Sequence, residues 1–77
     1  MKMEELLTIL NDMDDSIDWE KEEGLIDARI LDSFGVISLV AELGEAFDIE
    51  IEASEIVPQN FNSVKAIYAM VTRLQES

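Results

Sequence analysis

Apolar residues recur at helical spacing near both ends of the chain. A spacing of about three to four residues places side chains on one face of a helix. Either Asn62 or Ser63 can cap the second of these helices, because both side chains accept hydrogen bonds from free N–H groups in a first helical turn. The apolar faces are Met3, Leu6, Leu7, Leu10 and Met13 in the first helix, and Val64, Ile67, Tyr68, Val71 and Leu74 in the last.

The longest periodic segment, from Ser33 to Asp48, predicts an amphipathic helix. Phe34 falls on the polar side of this helix, so we expect an apolar ring that is exposed to solvent. Gly44 lies inside the helix, at a cost of up to about 1 kcal/mol relative to alanine. The buried stripe is Val36, Leu39, Val40, Leu43 and Phe47, and the opposite side carries Phe34, Ser38, Glu42 and Glu45.

The segments between these helices lack the same periodicity. Residues 14–23 are acidic, with Ile17 and Trp19 as their only apolar residues, and predict a solvated loop that Trp19 pins to the bundle. Residues 49–52 alternate and predict an extended connector, whereas residues 53–57 predict a short helical turn ended by Pro58. We therefore expect an all-α, small four-helix bundle, with three main helices and one short helix, in a single domain spanning residues 1–77.

Charge and composition exclude several classes of function. The chain has 77 residues, with 18 acidic and 5 basic side chains and a net charge of −13, which disfavours nucleic acid and anionic lipid partners. It contains no histidine and no cysteine, so the usual base or thiolate nucleophile of a hydrolase is missing and we expect no enzyme. No apolar run predicts membrane insertion, and we expect a cytoplasmic monomer.

The sequence Asp32-Ser33-Phe34 stands at the start of the longest predicted helix. Either Asp32 or Ser33 can serve as its N-cap, which is a sufficient structural explanation for an isolated Asp-Ser pair. Here the apolar approach through residues 25–31 anchors the preceding loop, and an exposed Phe34 follows. These neighbours favour Ser33 as a residue that is held in place for covalent modification.

With these surroundings the chain resembles the acyl carrier proteins, including the peptidyl and D-alanyl carriers, over essentially its whole length. The resemblance implies that a phosphopantetheinyl transferase attaches 4′-phosphopantetheine covalently to Ser33, with Asp32 as the neighbouring helix cap. It further implies that Phe34, Glu42, Glu45 and Asp48 dock onto basic patches of acyl-transferring or adenylating enzymes. The segments that carry it are Leu31-Asp32-Ser33-Phe34, Leu39-Val40-Ala41-Glu42-Leu43, Phe47-Asp48-Ile49-Glu50-Ile51 and Phe61-Asn62-Ser63-Val64.

The resemblance to this family does not specify which chemical group the chain carries. Our main interpretation is a stand-alone carrier that holds acyl intermediates as thioesters for fatty-acid or polyketide-type biosynthesis. The alternative is a D-alanyl or other aminoacyl carrier that works with an adenylating ligase. Gly35 is more like the D-alanyl carriers, and Ser38 and Gly44 stand where fatty-acid carriers commonly have acids. Outside the family, the alternative is an unmodified acidic adaptor that binds a basic protein.

The acidic loop also has the spacing of an EF-hand calcium loop. Position 6 of such a loop requires a glycine, but Ile17 stands there, and Gly24 interrupts the expected exit helix. We therefore predict no specific metal site and leave weak divalent-ion binding open. The residues at positions 1, 3, 5, 7, 9 and 12 are Asp12, Asp14, Ser16, Asp18, Glu20 and Glu23.

Overall fold

Four α-helices and one 3₁₀ turn form the regular structure of residues 3–76, which are the residues that this computed structural model describes. No strand occurs in that range, which confirms the predicted all-α bundle. Residues 1, 2 and 77 of the predicted domain lie outside the described residues. In chain order the elements are α1 (Met3–Met13), α2 (Ser33–Phe47), the 3₁₀ turn (Ala53–Glu55), α3 (Pro58–Phe61) and α4 (Val64–Glu76).

The core lies where α1, α2 and α4 pack against one another. Each fully buried aliphatic side chain contributes about 1.5–3 kcal/mol through removal of its surface from water. The predicted apolar faces are confirmed, since their members are either buried or half-buried against this core. The buried residues of the three helices are Leu6, Leu10, Val36, Leu39, Leu43, Val64, Ile67, Met70 and Val71.

Helix α2 ends in a tight reversal. The backbone of Asp48 is left-handed, with φ of 52°, and its N–H donates to the carbonyl of Gly44. A Cβ added at Gly44 would lie 3.2 Å from the Ile49 carbonyl oxygen, so glycine permits this close approach. The reversal turns Ile49 and Ile51 onto the core, as the predicted connector requires.

The short helix differs from its prediction. The expected turn over residues 53–57 is present only as the 3₁₀ turn Ala53–Glu55. Pro58 does not end a helix but begins α3, which runs to Phe61. The reason is that the first N–H groups of a helix need no intrahelical acceptor and the fixed φ of proline suits the first helical position.

Ser63 caps the last helix. Its Oγ accepts a hydrogen bond from the Ala66 N–H at 3.1 Å. Of the two predicted alternatives, Asn62 is therefore not the cap, and its side chain is directed instead towards the loop that precedes Ser33.

Trp19 holds the acidic loop onto the bundle, as predicted. Its side chain is 3% exposed, and its Nε1–H donates to the Asp14 carbonyl oxygen at 3.0 Å. The loop thereby gains one buried anchor, although all of its acidic residues except the half-buried Glu22 are exposed.

Candidate functional site

Ser33 is the first residue of α2, and its side chain is exposed. Asp32 supplies the N-cap, because its Oδ1 accepts from the Gly35 N–H at 2.8 Å and its carbonyl accepts from the Val36 N–H at 2.9 Å. No hydrogen bond joins Ser33 Oγ to any of residues 3–76. Because Asp32 supplies the cap, the Ser33 hydroxyl is not used to cap α2.

Gly35 allows the cap to close tightly. A Cβ at this position would lie 3.3 Å from Asp32 Oδ1 and 3.4 Å from the Leu31 side chain. Leu31 is itself buried, so little room exists for it to move away. The glycine two residues after Ser33 therefore favours both the cap and the core contact that fix the start of α2.

The loop before Ser33 is anchored by Asn62, from the junction of α3 and α4. Asn62 Oδ1 accepts from the N–H groups of Ile26 at 3.0 Å and Asp27 at 3.3 Å. The Asn62 carbonyl accepts from the Leu25 N–H at 2.8 Å. These N–H groups open a single helical turn, closed by the bond from the Ala28 N–H to the Gly24 carbonyl at 2.7 Å. Asn62 therefore acts as a cap supplied from a distant part of the chain.

Arg29 ends this turn in a left-handed backbone conformation, with φ of 60°. Its N–H donates to the Ile26 carbonyl at 3.0 Å, and the chain reverses so that the Leu31 N–H reaches the Leu25 carbonyl at 2.9 Å. This conformation costs a residue with a Cβ about 1 kcal/mol relative to glycine. The reversal buries Leu31 directly before the Asp32–Ser33 pair.

An open groove of about 570 Å³ runs beside Ser33. One wall comes from the loop before Ser33 and the first turn of α2, and the other from the segment that leads into α3. Its lining is predominantly apolar and comprises Ile26, Arg29, Leu31, Asp32, Ser33, Val36, Ile37, Ile56, Val57, Pro58 and Phe61.

The far wall of the groove is fastened by Glu55. Arg73 Nη1 donates to Glu55 Oε2 at 3.0 Å, and Asn60 Nδ2 donates to the Glu55 carbonyl at 2.8 Å. The hydrogen bond from Arg73 holds the pKa of the Glu55 carboxyl below its ordinary value. The 3₁₀ turn is therefore tied to both α3 and α4.

The predicted docking residues form an exposed face of α2. The Phe34 side chain is 82% exposed, which confirms the unusual exposure predicted for it. Glu42 and Glu45 are also exposed on α2, and so is Asp48, the residue directly after the end of the helix. Ile37, one turn after Phe34, is 64% exposed and adds a second apolar contact that the sequence pattern left unassigned.

Known proteins with related sequences identify the family. The D-alanyl carrier protein of Streptococcus uberis is 39% identical over 57 residues, which cover 74% of this chain and 72% of that protein. Those of Streptococcus sanguinis and Streptococcus gordonii are 36% and 35% identical over 68 residues, covering 88% of this chain and 81% of each protein. The chain belongs to the acyl and peptidyl carrier protein family. No protein-family model matches it.

In the acidic loop of this carrier protein, one carboxylate accepts hydrogen bonds from a residue of the same loop. Asp14 Oδ1 accepts from the Ser16 N–H at 3.0 Å and from the Ser16 hydroxyl at 2.6 Å. These bonds lower the pKa of Asp14.

Within residues 3–76 no three acidic side chains are grouped so as to hold a metal ion. In the same range no helix of the carrier is long and apolar enough to cross a membrane.

Three features of this carrier's site have no clear local signal in the sequence. Arg29 adopts a backbone conformation usual for glycine, Asn62 lies far along the chain from the loop that it anchors, and Ile56 reaches the groove from the other wall. The sequence does show that Arg29, one of 5 basic residues in a chain with 18 acidic residues, lies in the loop that leads to Ser33. This observation could have drawn attention to Arg29.

Proposed function

We propose that Ser33 is the residue to which a phosphopantetheinyl transferase attaches 4′-phosphopantetheine. We further propose that the loaded chain carries D-alanine or another amino acid, activated by an adenylating ligase, in the cytoplasm. The observation that carries this proposal is the free, exposed Ser33 hydroxyl on a helix N-terminus already capped by its neighbour, in a chain related to D-alanyl carriers.

The residues around Ser33 fit a phosphodiester. Asp32 accepts hydrogen bonds from the Gly35 and Val36 N–H groups, whereas the Phe34 N–H has no acceptor among residues 3–76. A free N–H in the first turn and the positive end of the dipole of a 15-residue helix favour an anion at this place. The groove beside Ser33 offers an apolar surface to the rest of an attached arm.

The attached group supplies a thiol, which this cysteine-free chain lacks, and the thiol holds the carried group as a thioester. The chain itself presents the Ser33 Oγ to the transferase. A bond forms between Oγ and the phosphorus adjacent to the pantetheine of coenzyme A, the hydroxyl proton is lost, and 3′,5′-ADP leaves. Tethering keeps the carried group at a high effective concentration for each partner enzyme.

An aminoacyl cargo agrees with the relatives and with the shape of the site. The matched proteins are named as D-alanyl carriers. The groove opens to solvent beside Ser33, whereas the interior is filled by side chains such as Leu39, Leu43 and Ile67, each with 0% exposure. A long acyl chain sheltered between the helices would have to displace them, at the cost of core packing. The fatty-acyl or polyketide cargo of our main interpretation is thus the second candidate.

The exposed face of α2 is our proposed docking surface. Phe34 supplies an apolar contact close to Ser33, while Glu42, Glu45 and Asp48 supply negative charge along the helix. A basic patch on the transferase or ligase would be attracted by this charge, so complex formation should weaken as salt is added.

The attachment is tested by intact mass after incubation with coenzyme A, Mg²⁺ and a broad-specificity phosphopantetheinyl transferase. We expect the mass of one phosphopantetheine to be gained and one equivalent of 3′,5′-ADP to be released. Ser33→Ala should gain nothing, whereas Ser38→Ala, which removes another exposed hydroxyl from α2, should gain the full mass. If the unmodified chain stays unloaded by a transferase that loads a known carrier, the acidic adaptor becomes the better hypothesis.

The cargo is tested on the loaded protein in two parallel reactions. One contains ATP, D-alanine and a D-alanine-activating ligase, and the other contains ATP, a long-chain fatty acid and an acyl-carrier-directed acyl synthetase. We expect a hydroxylamine-sensitive alanyl adduct in the first reaction. Loading in the second reaction alone would contradict the aminoacyl proposal while leaving the attachment at Ser33 intact.

A further inference from the structure

Arg29 is an exposed cation on the wall of the groove beside Ser33. The chain has five basic residues, of which Arg73 pairs with Glu55 and Lys21 lies 3.6 Å from Asp18. Within residues 3–76, no carboxylate lies within 4.0 Å of the Arg29 guanidinium, although acidic residues are abundant. Arg29 lines the groove together with Asp32 and Ser33.

The backbone conformation of Arg29 fixes the point from which its side chain leaves the loop. Arg29 has φ of 60°, a left-handed conformation in which glycine is favoured over any residue with a Cβ. Asn62 anchors the turn that leads to it, through bonds to Ile26 and Asp27. Strained positions held by their surroundings are concentrated at ligand sites, and Arg29, unlike the left-handed Asp48 at the end of α2, lines the groove beside Ser33.

We propose that Arg29 binds the phosphodiester on Ser33 and so positions the attached arm along the groove. This inference rests on the proposed attachment at Ser33. A phosphodiester keeps one negative charge at neutral pH, and the planar guanidinium offers paired N–H donors that match two of its oxygens. The neighbouring Asp32 carboxylate would repel the phosphate, and Arg29 offsets that repulsion in a chain of net charge −13.

The chain offers a simple spectroscopic test, since its only arginines are Arg29 and Arg73. In ¹⁵N-labelled protein, the two Nε–Hε signals are compared before and after loading, and Arg29→Gly assigns them by loss of one signal. We expect loading to move the Arg29 signal downfield and slow its exchange with water, while the Arg73 signal stays in place. Loading to completion is verified by intact mass, so failure to attach the group is distinguished from failure of Arg29 to bind it.

Stability measurements provide a second readout with a matched control. The urea midpoint is measured with and without the attached group for the unmodified sequence, Arg29→Gln and Lys65→Gln. Lys65 is exposed on α4 outside the groove, so its substitution removes the same charge elsewhere. We expect loading to raise the midpoint of the unmodified sequence and of Lys65→Gln more than that of Arg29→Gln, with the difference shrinking in high salt.

Arg29→Gly separates binding from backbone strain. Glycine relieves the left-handed conformation, so the unloaded variant should be at least as stable as the unmodified sequence, and yet loading should stabilise it as little as it does Arg29→Gln. An unchanged Arg29 Hε signal in fully loaded protein would overturn the proposal. Equal effects of loading on Arg29→Gln and Lys65→Gln would overturn it as well.

Discussion

Substitution of Asn62 by alanine should loosen the loop that holds Ser33. The Asn62 Oδ1 accepts from the N–H groups of Ile26 and Asp27, at 3.0 and 3.3 Å. The Ile26 bond is partly buried, so its donor would lose its acceptor with limited access to water. Asp27 is exposed, and water can replace its acceptor. The backbone bond from the Leu25 N–H to the Asn62 carbonyl, at 2.8 Å, is retained in the variant.

The expected loss follows from the Ile26 donor. Leaving a buried donor unsatisfied costs about 1–3 kcal/mol, whereas an exposed one costs much less. A chain of 77 residues has a free energy of unfolding of about 4–12 kcal/mol, at about 0.05–0.15 kcal/mol per residue. We therefore expect Asn62→Ala to lower the free energy of unfolding by about 1–3 kcal/mol, a sizeable fraction of the total.

Amide hydrogen exchange distinguishes local loosening from general destabilisation. Because every 1.4 kcal/mol corresponds to a factor of ten, exchange at Ile26 and Asp27 should accelerate about fivefold or more. The rate of phosphopantetheine attachment at Ser33 should fall as well, since the loop runs directly into the Asp32 cap. The free energy of unfolding is measured in parallel by urea titration.

Asn60→Ala is the matched control. Asn60 is also half-buried, and its Nδ2 donates to the Glu55 carbonyl at 2.8 Å, but it makes no hydrogen bond to the loop before Ser33. This variant should destabilise the fold without selectively accelerating exchange at Ile26 and Asp27. Identical exchange profiles for the two variants would refute the anchoring role of Asn62.

Two further predictions concern the cap of α2 and the ion pair of the groove wall. Asp32→Ala removes the acceptor of the Gly35 N–H and should lower the free energy of unfolding by about 1 kcal/mol. Asp32→Asn should restore most of this loss, and equal urea midpoints for both variants and the unmodified sequence would contradict the capping role. Arg73 lowers the pKa of Glu55 from its ordinary value of 4.5. The ion pair of these two residues therefore stabilises the fold above pH 4.5, and this stabilisation is lost as the pH falls through the lowered pKa of Glu55. Arg73→Gln should therefore destabilise the protein at neutral pH but progressively less below about pH 4.5, and a deficit that stays constant down to pH 2 would be contrary to this.

The main helices could be predicted because their cause is local. Apolar residues spaced for one helix face specify α1, α2 and α4, and the observed α2 (Ser33–Phe47) ends one residue before the predicted end at Asp48. Pro58 was misjudged because proline has opposite effects at different helix positions. It breaks a helix interior but suits the first turn, and only the location of the helix start decides between them.

Features of the site that depend on neighbouring residues could be predicted from the sequence, whereas those that depend on distant residues could not. Asp32 was recognised as a candidate cap because its partner Gly35 lies three residues away, within the range of sequence motifs. Asn62 and Ser63 could not be told apart, since both can cap a helix and only Ser63 does so. The partner of the Asn62 side chain, Ile26, lies 36 residues away, so no periodicity or motif records their contact.

The distant contact and the local cap position different parts of the site. Asp32 sets the start of α2, but a cap acts only on the first turn and cannot fix the path of the chain that leads to it. That path is set by the turn ending at Arg29, and the turn is too short to be stable by itself. The Asn62 side chain stabilises this turn by accepting hydrogen bonds from the first N–H groups of the turn. The placement of Ser33 therefore depends on a contact with the junction of α3 and α4. A local sequence motif can identify the serine, but it cannot specify this distant contact.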